Sequence, residues 1–169
     1  MAESIFECAG GSKRFVRGES SVREYLTAHM SSKIMMFDGA MGTMIQQHKL
    51  EEEDFRGERF KDYEGPLLKG NNDLLSLTQP HIIKGIHEEY LEAGSQLLGT
   101  NTFSATSIAM ADYDMQSLVR ELNVASARIA REAADAFTAK DPTNPRFVAG
   151  SIGPTNVTAS ISPSVEDPG

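Results

Sequence analysis

Ile34-Met35-Met36-Phe37-Asp38-Gly39-Ala40-Met41-Gly42-Thr43 is the stretch that decides the reading of this chain. Four apolar residues come first, then an acid, then a glycine-rich turn. A short apolar run of this kind suits a strand buried on both faces, as in a parallel sheet. Asp38 falls where that strand would end. Gly39 and Gly42 let the backbone turn sharply and let a ligand approach it closely. Successive free N–H groups in such a turn can cup an anion. An acid beside an anion cup suits a zwitterion, with its carboxylate on the N–H groups and its ammonium on Asp38. The plainer alternative for the same residues is a strand followed by an ordinary polar turn.

Working outward, two more apolar runs end in the same way. Leu97-Leu98 leads into Gly99-Thr100-Asn101-Thr102-Phe103, and Phe147-Val148-Ala149 leads into Gly150-Ser151-Ile152-Gly153-Pro154. Between the runs lie two helical patterns. Residues 80–93 carry Ile82, Ile83, Ile86, Tyr90 and Leu91 on one stripe, with Pro80 in the first turn and Gly94 placed to end the helix. Residues 115–139 carry Leu118, Leu122, Ala125, Ile129, Ala133 and Phe137, three or four apart. The order strand, helix, strand, helix, strand predicts a parallel α/β arrangement. In such folds the carboxyl ends of the strands face the ligand. Three polar strand ends in a row, at Asp38 and Thr43, at Asn101 and Thr102, and at Ser151 and Thr155, therefore point to one shared site. The stretch 46–77 is long for a connection and reads as a functional loop or as short helices, with Glu51 to Asp54 as a solvated face. Residues 1–32 read as an N-terminal extension, partly disordered, with a short helix at 21–31.

Composition narrows the function class. The chain has 169 residues and a formal net charge of −8. An acidic surface without a basic stripe argues against nucleic acid or an anionic membrane as partner. No apolar run approaches the length of a membrane span, and the first residues do not resemble a secretory signal. A cytoplasmic setting fits this pattern. The single cysteine, Cys8, allows no intrachain disulfide and no multi-cysteine metal site. His81 and His87 are six apart and do not share a helical face, which argues against a metal pair. Three parallel strands leave open sheet edges, and a closed (β/α)₈ barrel needs roughly 250 residues. The chain therefore reads as the first portion, about three βα units, of a larger α/β domain.

Several segments together resemble one family. They are residues 38–46 from Asp38 to Gln46, the run Leu68-Lys69-Gly70-Asn71-Asn72-Asp73, the strand end Gly99 to Phe103, and the segment Gly150 to Asn156. Phe55-Arg56-Gly57 and Ser162 to Val165 agree with them. The chain resembles the start of the cobalamin-dependent methionine synthases, in their homocysteine-binding module, over residues 33–168.

The resemblance implies a (β/α)₈ (TIM) barrel, with residues 33–169 as its partial homocysteine-binding domain, and a methyltransferase activity. The methyl group would pass from methylcobalamin, ultimately from methyltetrahydrofolate, to homocysteine, giving methionine. By the same resemblance, Asp38 holds the substrate ammonium, and the N–H groups of Gly39, Ala40 and Met41 hold its carboxylate. Asn101 and Thr102 stand beside the site at the second strand end. The family holds zinc on three cysteine thiolates late in the barrel. None of those cysteines is present here, and Cys8 precedes the first strand. Zinc and cobalamin are thus implied for the full-length enzyme, with neither expected on this chain alone. Expected partners are homocysteine and downstream modules of the same polypeptide. Two rival readings remain: a non-catalytic binding or interaction protein, and a stand-alone homocysteine methyltransferase with another methyl donor.

Overall fold

The computed structural model describes residues 6–9, 12–15 and 19–154. Strands β1 (Phe6–Ala9) and β2 (Ser12–Phe15) pair antiparallel, with Phe6 opposite Phe15 and Ala9 opposite Ser12. The sequence reading of this region as a tail did not foresee that ladder; Gly10, Gly11 and Gly18 lie outside the described residues. The helix expected at 21–31 is α1 (Glu19–Met30). Its Tyr25, with Val22 and Leu26, packs against Met35, Leu97 and Phe147, and the Tyr25 and Phe147 rings lie 5.3 Å apart. The helix therefore docks against the residues that open the two strands of the central sheet.

The long polar stretch resolves into short helices. Helix α2 (Met41–Gln47) follows the Gly39–Ala40 turn, and α3 (Glu52–Arg56) occupies the acidic run. The Glu51-to-Asp54 segment is thus a helix start and not a loop face. The Glu51 side chain accepts from the Asp54 backbone, and the Asp54 carboxylate accepts from the Glu51 N–H at 2.8 Å. Each side chain satisfies a backbone N–H that a helix start leaves unpaired. Glu52 then ties α3 to the next segment by accepting from the Leu68 and Lys69 N–H groups at 3.0 and 2.7 Å.

A 3₁₀ turn at Asn72–Leu74 runs into α4 (Leu75–Thr78) and then α5 (Pro80–Glu92). Proline at the first position of α5 costs no hydrogen bond there. At its other end the Ser95 N–H reaches the Tyr90 carbonyl and the Gly94 N–H reaches that of Leu91, with Gly94 at φ 107°. This is the Schellman arrangement that glycine at this position permits. Strand β3 (Leu97–Gly99), helix α6 (Ser107–Met110, capped by the Thr106 hydroxyl), two 3₁₀ turns, α7 (Val119–Lys140) and β4 (Phe147–Ala149) complete the described order.

Strands β3 and β4 pair in parallel, Leu97 with Phe147 through Gly99 with Ala149. On the other side of β3, the expected strand at 34–37 is reduced to a single parallel bridge between Phe37 and Leu97. The Met36 carbonyl accepts from the Gln96 and Leu97 N–H groups, and the Asp38 N–H donates to the Leu97 carbonyl at 2.9 Å. Burial on both faces is overturned for this run: Ile34 is 85% exposed, Met36 56% and Phe37 53%. A strand is buried only if layers cover both of its faces. Among the described residues only Met35 of this run joins a core cluster. The order Phe37, β3, β4 is nonetheless the expected parallel order. The chain is a mixed, largely helical α/β structure around a small parallel sheet.

The main core lies on the helical side. Leu68, Leu74, Leu75, Ile83, Met110 and Leu122 are fully buried together. The residues that α7 buries are Leu122, Ser126, Ile129, Ala130, Ala133 and Ala134. Ala125, expected in the stripe, is half-buried, and Ser126 is fully buried in its place. Small residues on this face let α7 approach the sheet closely, where Ala133 and Ala134 pack with Leu91 and Leu98.

Candidate functional site

Asp38 sits where the sequence reading put it, at the end of the first chain segment beside β3. Its side chain is 6% exposed. Oδ1 accepts the Gly99 N–H at 2.8 Å, and Oδ2 lies 3.8 Å from Nδ1 of His87. The carboxylate is therefore anchored by the strand that follows, at the junction of two parallel segments. The turn beyond it differs in detail from expectation. The left-handed residue is Ala40, at φ 43°, and Gly42 lies inside α2. A non-glycine residue in that region is sterically disfavoured and worth noticing beside a site.

A cleft of about 450 Å³ opens over this turn. Residues 37–42, 70–73, 99–101, 103 and 104, with Ala109, Asp112, Tyr113 and Ser151, line it. Asp38, Gly39, Ala40, Met41 and Asn101 are all among them. The volume is in the range of small-molecule sites, about 300–1,000 Å³.

Asn101 is 5% exposed, and its amide nitrogen is committed to the protein. Nδ2 donates to the Asn72 carbonyl at 2.8 Å and to Ser76 Oγ at 3.2 Å. Ser126 Oγ meets Ser76 Oγ at 2.7 Å and donates to the Asn101 carbonyl at 3.0 Å. This buried polar set locks the second strand end to α4 and α7. Thr102 does not line the cleft. Its hydroxyl donates to the Ser151 carbonyl at 2.7 Å, Thr100 Oγ1 lies 2.6 Å away, and the Ser151 N–H donates back to Thr100 Oγ1 at 2.9 Å. Both threonines thus join the ends of β3 and β4. Gly153 closes against this loop: a Cβ there would collide with the Phe103 carbonyl oxygen, so only glycine fits. Thr155 and the later matching segments lie outside the described residues.

Residues 70–73 form another wall of the cleft. Asn71 Oδ1 accepts the Leu74 N–H at 3.3 Å, capping the 3₁₀ turn. Asp73 is 4% exposed and accepts the Ser104 N–H at 2.7 Å. Burial raises its pKa to about 6, against the opposing pull of the Ser104 and Phe103 N–H groups. The sequence motif at 68–73 already pointed to Asn71, Asn72 and Asp73 as shaping the rim of the site, but Ser76, Ser126 and His87 were not foreseen as parts of this framework. For His87 and Ser126 the signal was present: each is a polar residue set within an apolar helical stripe.

Among the described residues, no three His, Cys, Asp or Glu side chains are grouped to hold a metal ion. The three-thiolate zinc site implied by the resemblance does not fit them. No described helix is long and apolar enough to cross a membrane.

Comparison with known proteins follows the same lines. Residues 35–168 match the family model for homocysteine S-methyltransferase. Among solved structures, the metallated form of the homocysteine methyltransferase MmuM from Escherichia coli superposes with a TM-score of 0.58 at 25% identity. That match covers 76% of this chain and 41% of that one. The oxidised form gives 0.56 at 26% identity, over 76% of this chain and 40% of that one. The chain therefore spans about two fifths of the length of these relatives. A family model that takes in the Asp38 turn, both later strand ends and the helices between them leaves one assignment: the chain belongs to the homocysteine S-methyltransferase family.

Proposed function

We propose that this chain supplies the amino-acid-binding end of a homocysteine site in an enzyme that methylates the homocysteine sulfur. The observation that carries the reading is Asp38. It is a nearly buried carboxylate, fixed by the Gly99 N–H, at the wall of a cleft sized for a small molecule. The substrate ammonium sits on Asp38. Its carboxylate sits at the N–H groups of Gly39, Ala40 and Met41. Asn101 and Thr102 hold the neighbouring strand ends in register through the bonds described above. These residues act by positioning, which lowers the barrier by fixing the reacting end of the substrate in place.

The match at Lys69 to Asp73 favours the cobalamin-dependent methionine synthase branch, with methylcobalamin as donor. In this reading the three parallel segments are the first of a (β/α)₈ barrel. Further barrel strands then cover the exposed face at Ile34, Met36 and Phe37, and zinc and cobalamin are held by residues beyond this chain.

The test is a titration of reduced L-homocysteine into the ¹⁵N-labelled chain, read at the amides of Gly39, Ala40, Met41 and Gly99. Saturable shifts at these amides, lost in Asp38→Ala, are the expected result. Equal shifts in the variant, or no saturable response in the native chain, overturn the assignment.

A further inference from the structure

We infer that His87 is a positioning residue for Asp38, donating from Nδ1 to the carboxylate oxygen that Gly99 leaves free. The inference rests on the reading of Asp38 as the ammonium-binding group, which it deepens. His87 is fully buried on α5, and neither ring nitrogen has a hydrogen-bond partner. A buried polar group without a partner is costly, and such groups in folded proteins call for an explanation. The residues one helical step to either side, Ile83 and Leu91, are also buried. An apolar side chain at 87 would complete that stripe without the cost.

Position supplies the explanation. The carboxylate nearest the ring is Asp38 Oδ2, 3.8 Å from Nδ1. That distance is beyond hydrogen-bond range, which ends near 3.2 Å for N–H···O, but rotation about the Asp38 Cβ–Cγ bond is soft. One anchor, the Gly99 N–H on Oδ1, leaves the carboxylate free to pivot. A second donor on Oδ2 fixes its plane and leaves the remaining lone pairs facing the cleft. Donation from Nδ1 also settles the tautomer, so that Nε2 is left as a bare acceptor and not as an unpaired N–H. The ring itself is held by a helix that ends in a Schellman turn and packs on α4 and α7, so it provides a rigid reference for a side chain on a turn.

Two measurements test this on the intact chain. The first is long-range ¹H–¹⁵N correlation of the histidine rings, which reports the tautomer. His87 is expected to carry its proton on Nδ1, and Asp38→Asn is expected to shift that nitrogen signal. A proton on Nε2, or an Nδ1 signal indifferent to Asp38→Asn, overturns the proposal. The second is homocysteine binding by three variants. His87→Leu removes the costly polar ring and is expected to melt no lower than the native chain, while binding homocysteine about tenfold more weakly. His87→Asn places an amide N–H near the position of Nδ1 and restores binding. His87→Gln places its amide near Nε2 and does not. Native-like binding by His87→Leu overturns the proposal. A native chain that binds no homocysteine refutes the site reading instead, and the tautomer measurement still decides whether His87 holds Asp38.

Discussion

Leu74, Leu75, Ile83 and Leu122 are at 0% exposure around α4, α5 and α7, whereas Ile34 is 85% and Ile152 90% exposed along the sheet. The residue types are alike; what differs is the number of layers around them. On the helical side α2 to α7 and the 68–74 segment enclose one cluster. On the sheet side β3 has neighbours in its own plane, but the described residues leave much of the face beyond Phe37 uncovered. The candidate site lies on the seam between these regions. Two of its groups are held from the closed side, Asn101 through Ser76 and Ser126 and Ser104 through Asp73, whereas Asp38 is held by Gly99 of β3, with His87 of α5 beside it. The cleft thus has preorganised walls although the sheet next to it is open.

The strongest way to break the comparison is to open the closed side. Leu74→Ala removes a fully buried side chain from the main cluster. A loss of about 2–5 kcal/mol is expected, as for other large-to-small core changes. Urea unfolding followed by circular dichroism measures it. A loss below about 1 kcal/mol would mean that the cluster relaxes around the gap and is not a close-packed core.

The next effect is a pH dependence at the wall of the cleft. The folded pKa of Asp73 is about 6, against 3.8 for the free side chain. The folded state therefore binds more protons between these values, so stability falls as pH rises through the window and is level above it. At 1.36 kcal/mol per pKa unit, ionised Asp73 costs up to roughly 3 kcal/mol at neutral pH. Other carboxylates act in the opposite sense: the Arg59 hydrogen bond lowers the pKa of Glu121, and that contribution is lost on acidification. The measurement is thus the difference between native and Asp73→Asn unfolding free energies, from pH 7 to pH 4. Native stability should gain on the variant as pH falls, and parallel curves would remove Asp73 as the cause.

Between these large effects and the small ones lies the site itself. Asp38→Ala should weaken homocysteine binding by about 1.5–3 kcal/mol, the scale of a charged hydrogen bond. Calorimetric titration reads it directly. Because Asp38 is fixed from β3 and does not itself belong to the main cluster, the melting temperature should move far less than in Leu74→Ala. A large drop in melting temperature with unchanged affinity would make Asp38 a structural acid.

What could be read in the sequence divides along the same seam. The long helices carry their own signals. Pro80 and Gly94 bracket α5, and the three-and-four spacing of Leu118, Leu122 and Ile129 marks α7. The strand cores at 97–99 and 147–149 were legible as apolar runs ending in small polar residues, and so was Asp38. Helix α3 was not legible because its cap is Glu51, where serine, threonine, aspartate or asparagine is the usual signal. The turn after Asp38 was misread because two glycines flank Ala40, the residue that takes the left-handed conformation. The burial of Ile34 to Phe37 was overestimated because a strand's periodicity shows which face is apolar and not whether anything covers it. The polar interruptions at His87 and Ser126 stood in the sequence, but what they face did not, since Asp38 lies 49 positions from His87, and Asn101 and Ser76 lie 25 and 50 from Ser126.

The smallest expected effect on stability falls on the open side, where Ile34 has almost its whole side chain in solvent. Burial of an isoleucine stabilises by about 1.5–3 kcal/mol only when water is excluded from it, and here it is not. Ile34→Ser should therefore change the unfolding free energy by no more than about 0.5 kcal/mol, as for surface substitutions in general. Its effect should appear instead in association. Ile34 adjoins exposed Met36 and Phe37 next to a sheet edge, and apolar patches beside unpaired strand backbone promote self-pairing. Sedimentation velocity of native and variant chains at matched concentration separates the two quantities: the serine form should sediment as the smaller species with the same melting temperature. A melting temperature that falls as it does in Leu74→Ala would show that Ile34 is buried in solution, and that the two sides of the molecule are equally closed.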